Sequence, residues 1–458
     1  MLVKKLLILL LALALFASAC FGALRFLERS DIWEGLAQRV AALIKQALEE
    51  PDSEGSAPDA PKPPAGGGGG GNSGVLVEPD AALYEVLYAA AQARQTEVDV
   101  ARFGYTAQEL QEEVSRFFFT NPALFYVEHS YRYYTLQGET TVQRLELSYL
   151  YTAEQSVQMT VFYENTVAEI VSGIPAGATD FDKVMYLHDY LVQNYAYDYE
   201  GLSGTGTPIR DAYNFFKTGR GVCQAYMLAM IALCEAAGIP SLPVISDEME
   251  HAWNLVKLDG EWYHIDVTWD DAGGEQSPVY PSYISYNYFL LSSKALYNSG
   301  RTAKWYASES ATDTRYDVAA WRNANTAMVK LGEYYYCTLF DTAAKCAKLY
   351  RGSATQMTPV QTLEGARWYS GPTTYYNSAA WAGLAVWNGA LLISTNTAFL
   401  LYDVQNGTLF ELADLAPSLG ELQIFGICGV SDTGLVSFVA ARDYHGAYQT
   451  LTWQIPVS

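Results

Sequence analysis

The sequence predicts an α+β core, preceded by an N-terminal α+β region and followed by a C-terminal all-β domain. Three observations carry the prediction. Phe181 to Tyr195 and Cys223 to Ala237 have the apolar spacing of helices. Residues 251–271 contain two β-like runs around Asp259-Gly260, among the strongest short hairpin signals. Beyond about Ser310, short β-rich segments alternate with Gly, Asn and Asp turns.

Bulk properties bound the function. A chain of 458 residues suffices for two or three domains with buried cores. Half of it is hydrophobic and 14% aromatic, which excludes a disordered chain. The formal charge of −22 argues against a nucleic-acid partner, because no basic patch is dense enough to displace phosphate counterions.

In chain order, Lys4 and Lys5 precede an apolar run from Leu6 to Phe16 and then Ala17-Ser18-Ala19-Cys20. This is the pattern of a secretory signal. Ala-Ser-Ala-Cys resembles a bacterial lipoprotein signal with Cys20 as the lipidated residue, although Ala17 stands where Leu is usual. Continued through Leu24, the run is also about long enough for an uncleaved anchor. Both place the remainder outside the cytoplasm, held to the membrane. Asp31 to Glu49 reads as an amphipathic helix, with Trp33, Leu36, Val40, Ile44 and Leu48 on one stripe. It suits a membrane-surface helix, a helix paired with another, or a stalk. Pro51 to Gly74 is a Pro/Gly-rich tether; no Lys-Ser or Lys-Thr follows its glycines, so it is not a phosphate loop.

From Glu78 the pattern turns globular. Helices over Pro79–Ala93 and Thr106–Phe119 are followed by β-rich runs, Phe125–Leu136 and Thr140–Tyr151, joined like a hairpin at Gln137-Gly138. A helix over Glu154–Val171 leads into the core. Val184, His188, Leu191 and Tyr195 form one helical stripe. His188 beside Asp189 looks like a catalytic pair, but neighbouring helical residues point in different directions, so His188 is expected to pack in the core. The late β segments are Gly332–Phe340, Ala385–Ser394, Phe399–Asp403, Leu435–Arg442 and Tyr448–Ile455. Their weak self-similarity near fifty residues resembles propeller blades, yet three units are too few for a closed ring. The expected organisation is a signal peptide or anchor (1–27), helix and linker (28–78), N-terminal α+β region (79–175), core (176–309) and all-β accessory domain (310–458).

Six cysteines in an exported chain invite disulfides. Cys223 and Cys234 lie eleven positions apart on one helix, roughly 16 Å and out of reach. Cys337 and Cys346 are a candidate bridge across a hairpin. Cys223 opens an apolar helix that stops at Gly238-Ile239-Pro240. Helix dipole and free N–H groups there favour a thiolate and can hold an oxyanion. Gly219 and Gly221 allow a close approach of backbone to substrate. Cys234, in line with Met227 and Ile231, is the packing case.

A nucleophilic cysteine needs a base, and the base an orienting partner. If Asp259-Gly260 is the turn, Leu258 faces Glu261, His251 faces Thr268 and Trp253 faces Asp266. His251 and Asp266 then share one sheet face as diagonal neighbours. His264 passes the same parity check and is a rival base, lying opposite Leu255 among apolar and aromatic neighbours. Spacing alone thus supplies a Cys223–His251–Asp266 triad and leaves His264 open. Asp247, Glu248 and Glu250 would raise the pKa of a nearby imidazole. Trp253, Trp262 and Trp269 form either an aromatic wall or core packing. No Cys-x-x-Cys or His-Glu-x-x-His spacing marks a metal site, and no cofactor is expected.

"GRGVCQAYMLAMIALCEAAGIPSLPV", "HAWNLVKLDGEWYHID" and "VTWDD" resemble the transglutaminase-like core of bacterial extracytoplasmic proteins, a papain-like α+β fold. The match spans about Asp180 to Asp271 with the motifs in the family's order; "TNPALFYVEHSYRY" is similar to the region often attached to such cores. The resemblance implies Cys223 as nucleophile, His251 as base and Asp266 as third member, which settles against His264. Animal transglutaminases carry a tryptophan upstream of the cysteine, whereas none occurs here between Trp33 and Trp253. Tyr195, Tyr197, Tyr213 and Gln224 are the candidate oxyanion donors in its place. The expected function is a membrane-tethered cysteine peptidase or amidase acting on peptide or protein substrates, cell-envelope material among them. The alternatives are a protein-glutamine cross-linking transglutaminase and a non-catalytic surface-binding protein.

Overall fold

The computed structural model describes residues 74–203, 209–271, 282–377, 380–444 and 446–456. The expected signal or anchor, the amphipathic helix and all but the end of the tether lie outside them. No helix among the described residues is long and apolar enough to cross a membrane.

The N-terminal part comprises β1 (Gly74–Leu76), α1 (Ala81–Gln92), β2 (Glu97–Asp99), α2 (Ala107–Thr120), β3 (Arg132–Thr135), β4 (Val142–Glu146) and α3 (Ala153–Ser172), and α4 (Asp180–Asn194) follows. Three of these helices open with a capping box, Thr106 with Glu109, Thr152 with Gln155 and Thr179 with Asp182, so each start is encoded locally. The strands pair antiparallel in the order β2-β4-β3. The run expected as a strand from Phe125 narrows to Arg132–Thr135. Pro122–Leu124 forms a 3₁₀ turn, and Phe125, Tyr126 and Val127 are buried in the core instead.

The next elements set the site. β5 (Ala196–Tyr197) pairs parallel with β6 (Arg220–Gly221), and α5 (Ala212–Thr218) lies between them in sequence. α5 ends at Gly219 in the left-handed region, φ 73°. A Cβ on Gly221 would stand 2.7 Å from Phe215 and 2.8 Å from Ala225, so only glycine fits two residues before Cys223. α6 (Cys223–Ala236) then runs through the core, with every residue from Ala225 to Cys234 buried.

α6 packs against a sheet of β7 (Ser241–Ser246), β8 (His251–Leu258), β9 (Glu261–Ile265) and, after α7 (Val267–Asp270) and α8 (Ser293–Asn298), β10 (Trp305–Ala307); the order is β1-β10-β7-β8-β9. Asn254 Nδ2 on β8 donates to the Met227 carbonyl of α6 at 3.1 Å. The β8–β9 hairpin has the expected register, Leu258 opposite Glu261 and Leu255 opposite His264. Asp259 and Gly260 both adopt positive φ, as a two-residue turn of this twist requires. The ladder stops at Ile265, however. Asp266 caps α7, its Oδ1 accepting from the Trp269 N–H at 3.2 Å, so the expected pairings of Asp266 with Trp253 and Thr268 with His251 do not form.

Toward the C-terminus three antiparallel sheets follow in sequence order: β11–β14 (Val329–Leu331, Tyr334–Asp341, Cys346–Gly352, Met357–Thr362), β15–β18 (Leu384–Trp387, Ala390–Ser394, Ala398–Asp403, Thr408–Asp414) and β19–β21 (Gln423–Val430, Leu435–Ala441, Tyr448–Gln454). The segment expected as one strand over Ala385–Ser394 is a hairpin, turning at Asn388-Gly389 with φ 47° and 76°. Cys337 pairs with Tyr350 and Cys346 with Asp341, and both are free thiols. The candidate bridge is absent because the register separates them. Asp182 of α4 joins this part to the core, accepting from Tyr335 Oη at 2.6 Å and pairing with Lys330 Nζ at 2.5 Å.

Candidate active site

Cys223 occupies the first position of α6 as a partly exposed free thiol. His251 opens β8, immediately after Glu250, which adopts a positive φ of 48°. His251 Nε2 lies 2.7 Å from Asp266 Oδ2. The Cys223 side chain is close enough to act on the ring as well, adding to the rise in its pKa. With Nε2 taken by Asp266, Nδ1 is the nitrogen left for the sulfur. Sulfur, imidazole and carboxylate thus converge from a helix start, a strand start and a helix cap.

Burial of His251 works to lower its pKa, but Asp266 and then Cys223 outweigh it and lift the group to about 9. The ring is therefore an imidazolium at neutral pH. Trp269 stacks on it at 4.5 Å with 13° between planes, and Trp253 lies near parallel at 5.6 Å. The Arg301 guanidinium covers the Trp269 ring. α7 therefore contributes both the acid and an aromatic plate that holds the imidazole flat.

His264 is not part of this arrangement. It accepts the Trp253 indole N–H on Nδ1 at 3.0 Å, and its Nε2 lies 3.0 Å from Ser293 Oγ. Burial pushes it down to about 3, so it is a neutral packed ring. His188 is fully buried, as its helical stripe implies, but it does pair with its neighbour. Nδ1 lies 2.9 Å from Asp189 Oδ1, and Nε2 meets Asp270 Oδ2 at 3.2 Å. Asp270, which no local pattern singles out, was missed in the sequence.

Of the four candidate oxyanion donors, Tyr197 alone is brought to the nucleophile. Its hydroxyl lies beside Cys223, whose backbone works against the burial that raises the phenol, and its O–H can act as a donor. Tyr195 is stacked on Phe215 at 4.4 Å and Tyr213 on Phe125 at 4.8 Å. Gln224 faces a cavity beside the helix start. Trp262 lies away from the triad, under Lys257. Among the described residues no group of three or more His, Cys, Asp or Glu side chains is arranged to hold a metal ion.

These features define a protein with a transglutaminase-like domain: residues 165–267 match the family model described as the Transglutaminase-like superfamily. Among curated proteins, the chain is similar to the kyphoscoliosis peptidase of Mus musculus, 23% identical over 144 residues, 28% of this chain and 22% of the relative. The kyphoscoliosis peptidase of Homo sapiens is 25% identical over 116 residues, 22% of this chain and 18% of the relative. The chain thus spans about a fifth of the length of these curated relatives. Among solved structures, a crystal structure of a TGase is matched at 14% identity over 44% of this chain and 52% of its own, with a TM-score of 0.22.

Proposed function

We propose that the protein is a cysteine enzyme that opens amide bonds through a thioester on Cys223, with water as the favoured acceptor. The single observation supporting this is the linked pair of contacts at His251, to the Cys223 side chain and, at 2.7 Å, to Asp266. The helix start favours the thiolate, and the imidazolium beside it supplies the proton. Attack of the sulfur on the carbonyl carbon forms the C–S bond and moves the carbonyl electrons onto oxygen, where Tyr197 Oη–H and the α6 N-terminus can meet the charge. Collapse expels the amine, which takes the proton from His251, and leaves a thioester. Water then gives its proton to His251 and attacks the thioester carbon. The C–S bond breaks, the acid departs, and the thiolate–imidazolium pair is restored.

An amine in place of water would give cross-linking after the same acylation. Hydrolysis is favoured because no tryptophan stands between Trp33 and Cys223 to support amine transfer. Peptide or protein substrates at the cell envelope, and a tether to the membrane outside the cytoplasm, are supported by the basic and apolar run that ends at Cys20. The test is a thiol-directed activity probe followed by product analysis on glutamine-containing peptides, with and without added amine. Labelling that needs both Cys223 and His251, with ammonia release or peptide cleavage, is expected. Labelling that ignores His251, with no product from any peptide, leaves a surface-binding protein.

A further inference from the structure

A cavity of about 260 Å³ adjoins the start of α6. Its walls are Phe118, Phe119, Phe125 and Val127, with His129 lying flat on Phe118 at 4.5 Å and 15°. All of these come from residues 118–129, outside the stretch matched by the family model, whereas Arg210, Asp211 and Gln224 on the other side lie inside it, so the cavity sits where the N-terminal region meets the core. Burial pushes His129 down to about 4, so its imidazole is neutral. The Asp211 carboxylate at the edge is already engaged, accepting from Asn214 N and Nδ2 at 2.7 and 2.8 Å. The wall formed by Phe118, Phe119, Phe125, Val127 and the neutral His129 is thus mainly aromatic and apolar, with Asp211 and Arg210 as the charged members of the lining.

Two residues connect it to the nucleophile. Gln224 lines the cavity and directly follows Cys223. Successive helical side chains diverge by about 100°, so the thiol turns to His251 while its neighbour turns to the cavity. Arg210 is exposed at the rim, and its charge acts on Tyr197, on which both the backbone and the side chain of Cys223 also act. A peptide crossing the helix start advances about 3.3 Å per residue. The side chain next to the attacked amide is therefore within reach of the opening. A dry apolar cavity of roughly 150 Å³ takes up benzene, so this volume suffices for a phenyl or phenol ring. The rim guanidinium adds a cation for the ring face.

We propose that this cavity binds an aromatic side chain of the acyl-donor peptide, adjacent in sequence to the amide that Cys223 attacks. The inference rests on the nucleophilic role of Cys223 given above. The test uses the full chain carrying Cys223→Ala, which separates binding from turnover. Fluorescent hexapeptides with a central glutamine carry Phe, Trp, Leu, Ala or Glu beside it, and equilibrium binding is measured for each. Phe on one flank is expected to bind about tenfold tighter than Ala, and Ser115→Trp, which fills the opening, to remove that advantage. Phe119→Ala, which widens the wall, is expected to shift the preference from Phe to Trp. Equal binding of the Phe and Ala peptides, or a Phe preference that survives both substitutions, overturns the proposal. Turnover by the unsubstituted protein is measured on the same panel. Ring-selective binding without turnover removes the enzymatic reading and keeps the cavity; turnover without ring selectivity does the reverse.

Discussion

His188 Nε2 and Asp270 Oδ2 lie 3.2 Å apart with neither side chain exposed, although 82 positions separate them in sequence. Asp270 also accepts from Ser285 Oγ at 2.9 Å and from the Tyr288 N–H at 3.0 Å, while the Tyr288 carbonyl accepts from the Asp266 N–H at 3.1 Å. The contact therefore ties α4 to the short helix that Asp266 caps. Removing one member of a buried charged pair typically costs about 3–5 kcal/mol. His188→Leu is expected to destabilise the protein by about that much in a denaturant titration.

The same pair makes stability depend on pH. Burial works to lower the pKa of His188, but Asp189 and Asp270 outweigh it and lift it to about 9. The unfolded imidazole titrates near 6.5. A folded value above the unfolded one gives a contribution that is complete below about pH 6.5 and is lost as pH rises through about 9. The denaturant midpoint is expected to fall more between pH 6 and pH 10 in the natural protein than in His188→Leu. Parallel curves would remove this assignment.

Asp266→Asn keeps a side chain able to cap α7 but withdraws the charge facing His251. Burial then dominates, so the imidazolium is lost at a lower pH. The alkaline limb of Cys223 alkylation is expected to move from about 9 toward neutrality. Turnover is expected to fall by about 10²–10⁴-fold.

Cys223→Ser and His251→Gln are each expected to lower kcat/KM by on the order of 10⁴-fold or more, and the double variant by little beyond either alone. Additive losses, measured by steady-state kinetics, would show that the two side chains act separately.

Tyr197→Phe removes the one candidate side-chain donor placed at the nucleophile. If its hydroxyl stabilises the oxyanion, kcat falls by about 10²–10³-fold with little change in KM. A loss confined to KM would assign Tyr197 to substrate binding instead.

Gly221→Ala places a methyl group against Phe215 and Ala225, and 3.1 Å from the Ile209 carbonyl. Overpacking of this kind costs about 1–3 kcal/mol. Because α6 begins two residues later, slower alkylation of Cys223 is expected together with a lower melting temperature.

What was legible in the sequence was mostly local. The apolar run after Cys223 and the Asp-Gly turn are as the sequence indicates, and the register of the β8–β9 hairpin is the expected one as far as Asn254 and Ile265, so His251 and Asp266 meet although Asp266 lies just beyond the ladder. The α7 turn escaped this logic, since "VTWD" has β-like composition yet forms a helical turn capped by Asp266. With it went the stacking of Trp269 on His251. The His188–Asp270 contact was hidden for a different reason: no period links residues so far apart, and helical side-chain directions appeared to separate His188 from Asp189. Cys337 and Cys346 looked like hairpin partners until the register placed each opposite another residue. Cavity walls gathered from separate stretches leave no local signature at all.

The plate that Trp269 lays against His251 at 4.5 Å has a spectroscopic consequence. A protonated imidazole quenches an adjacent indole more strongly than a neutral one. The emission difference between the natural protein and Trp269→Phe thus supplies an intrinsic optical gauge of the proton on that ring. Followed through a single turnover, it would time the departure and return of that proton without any added label.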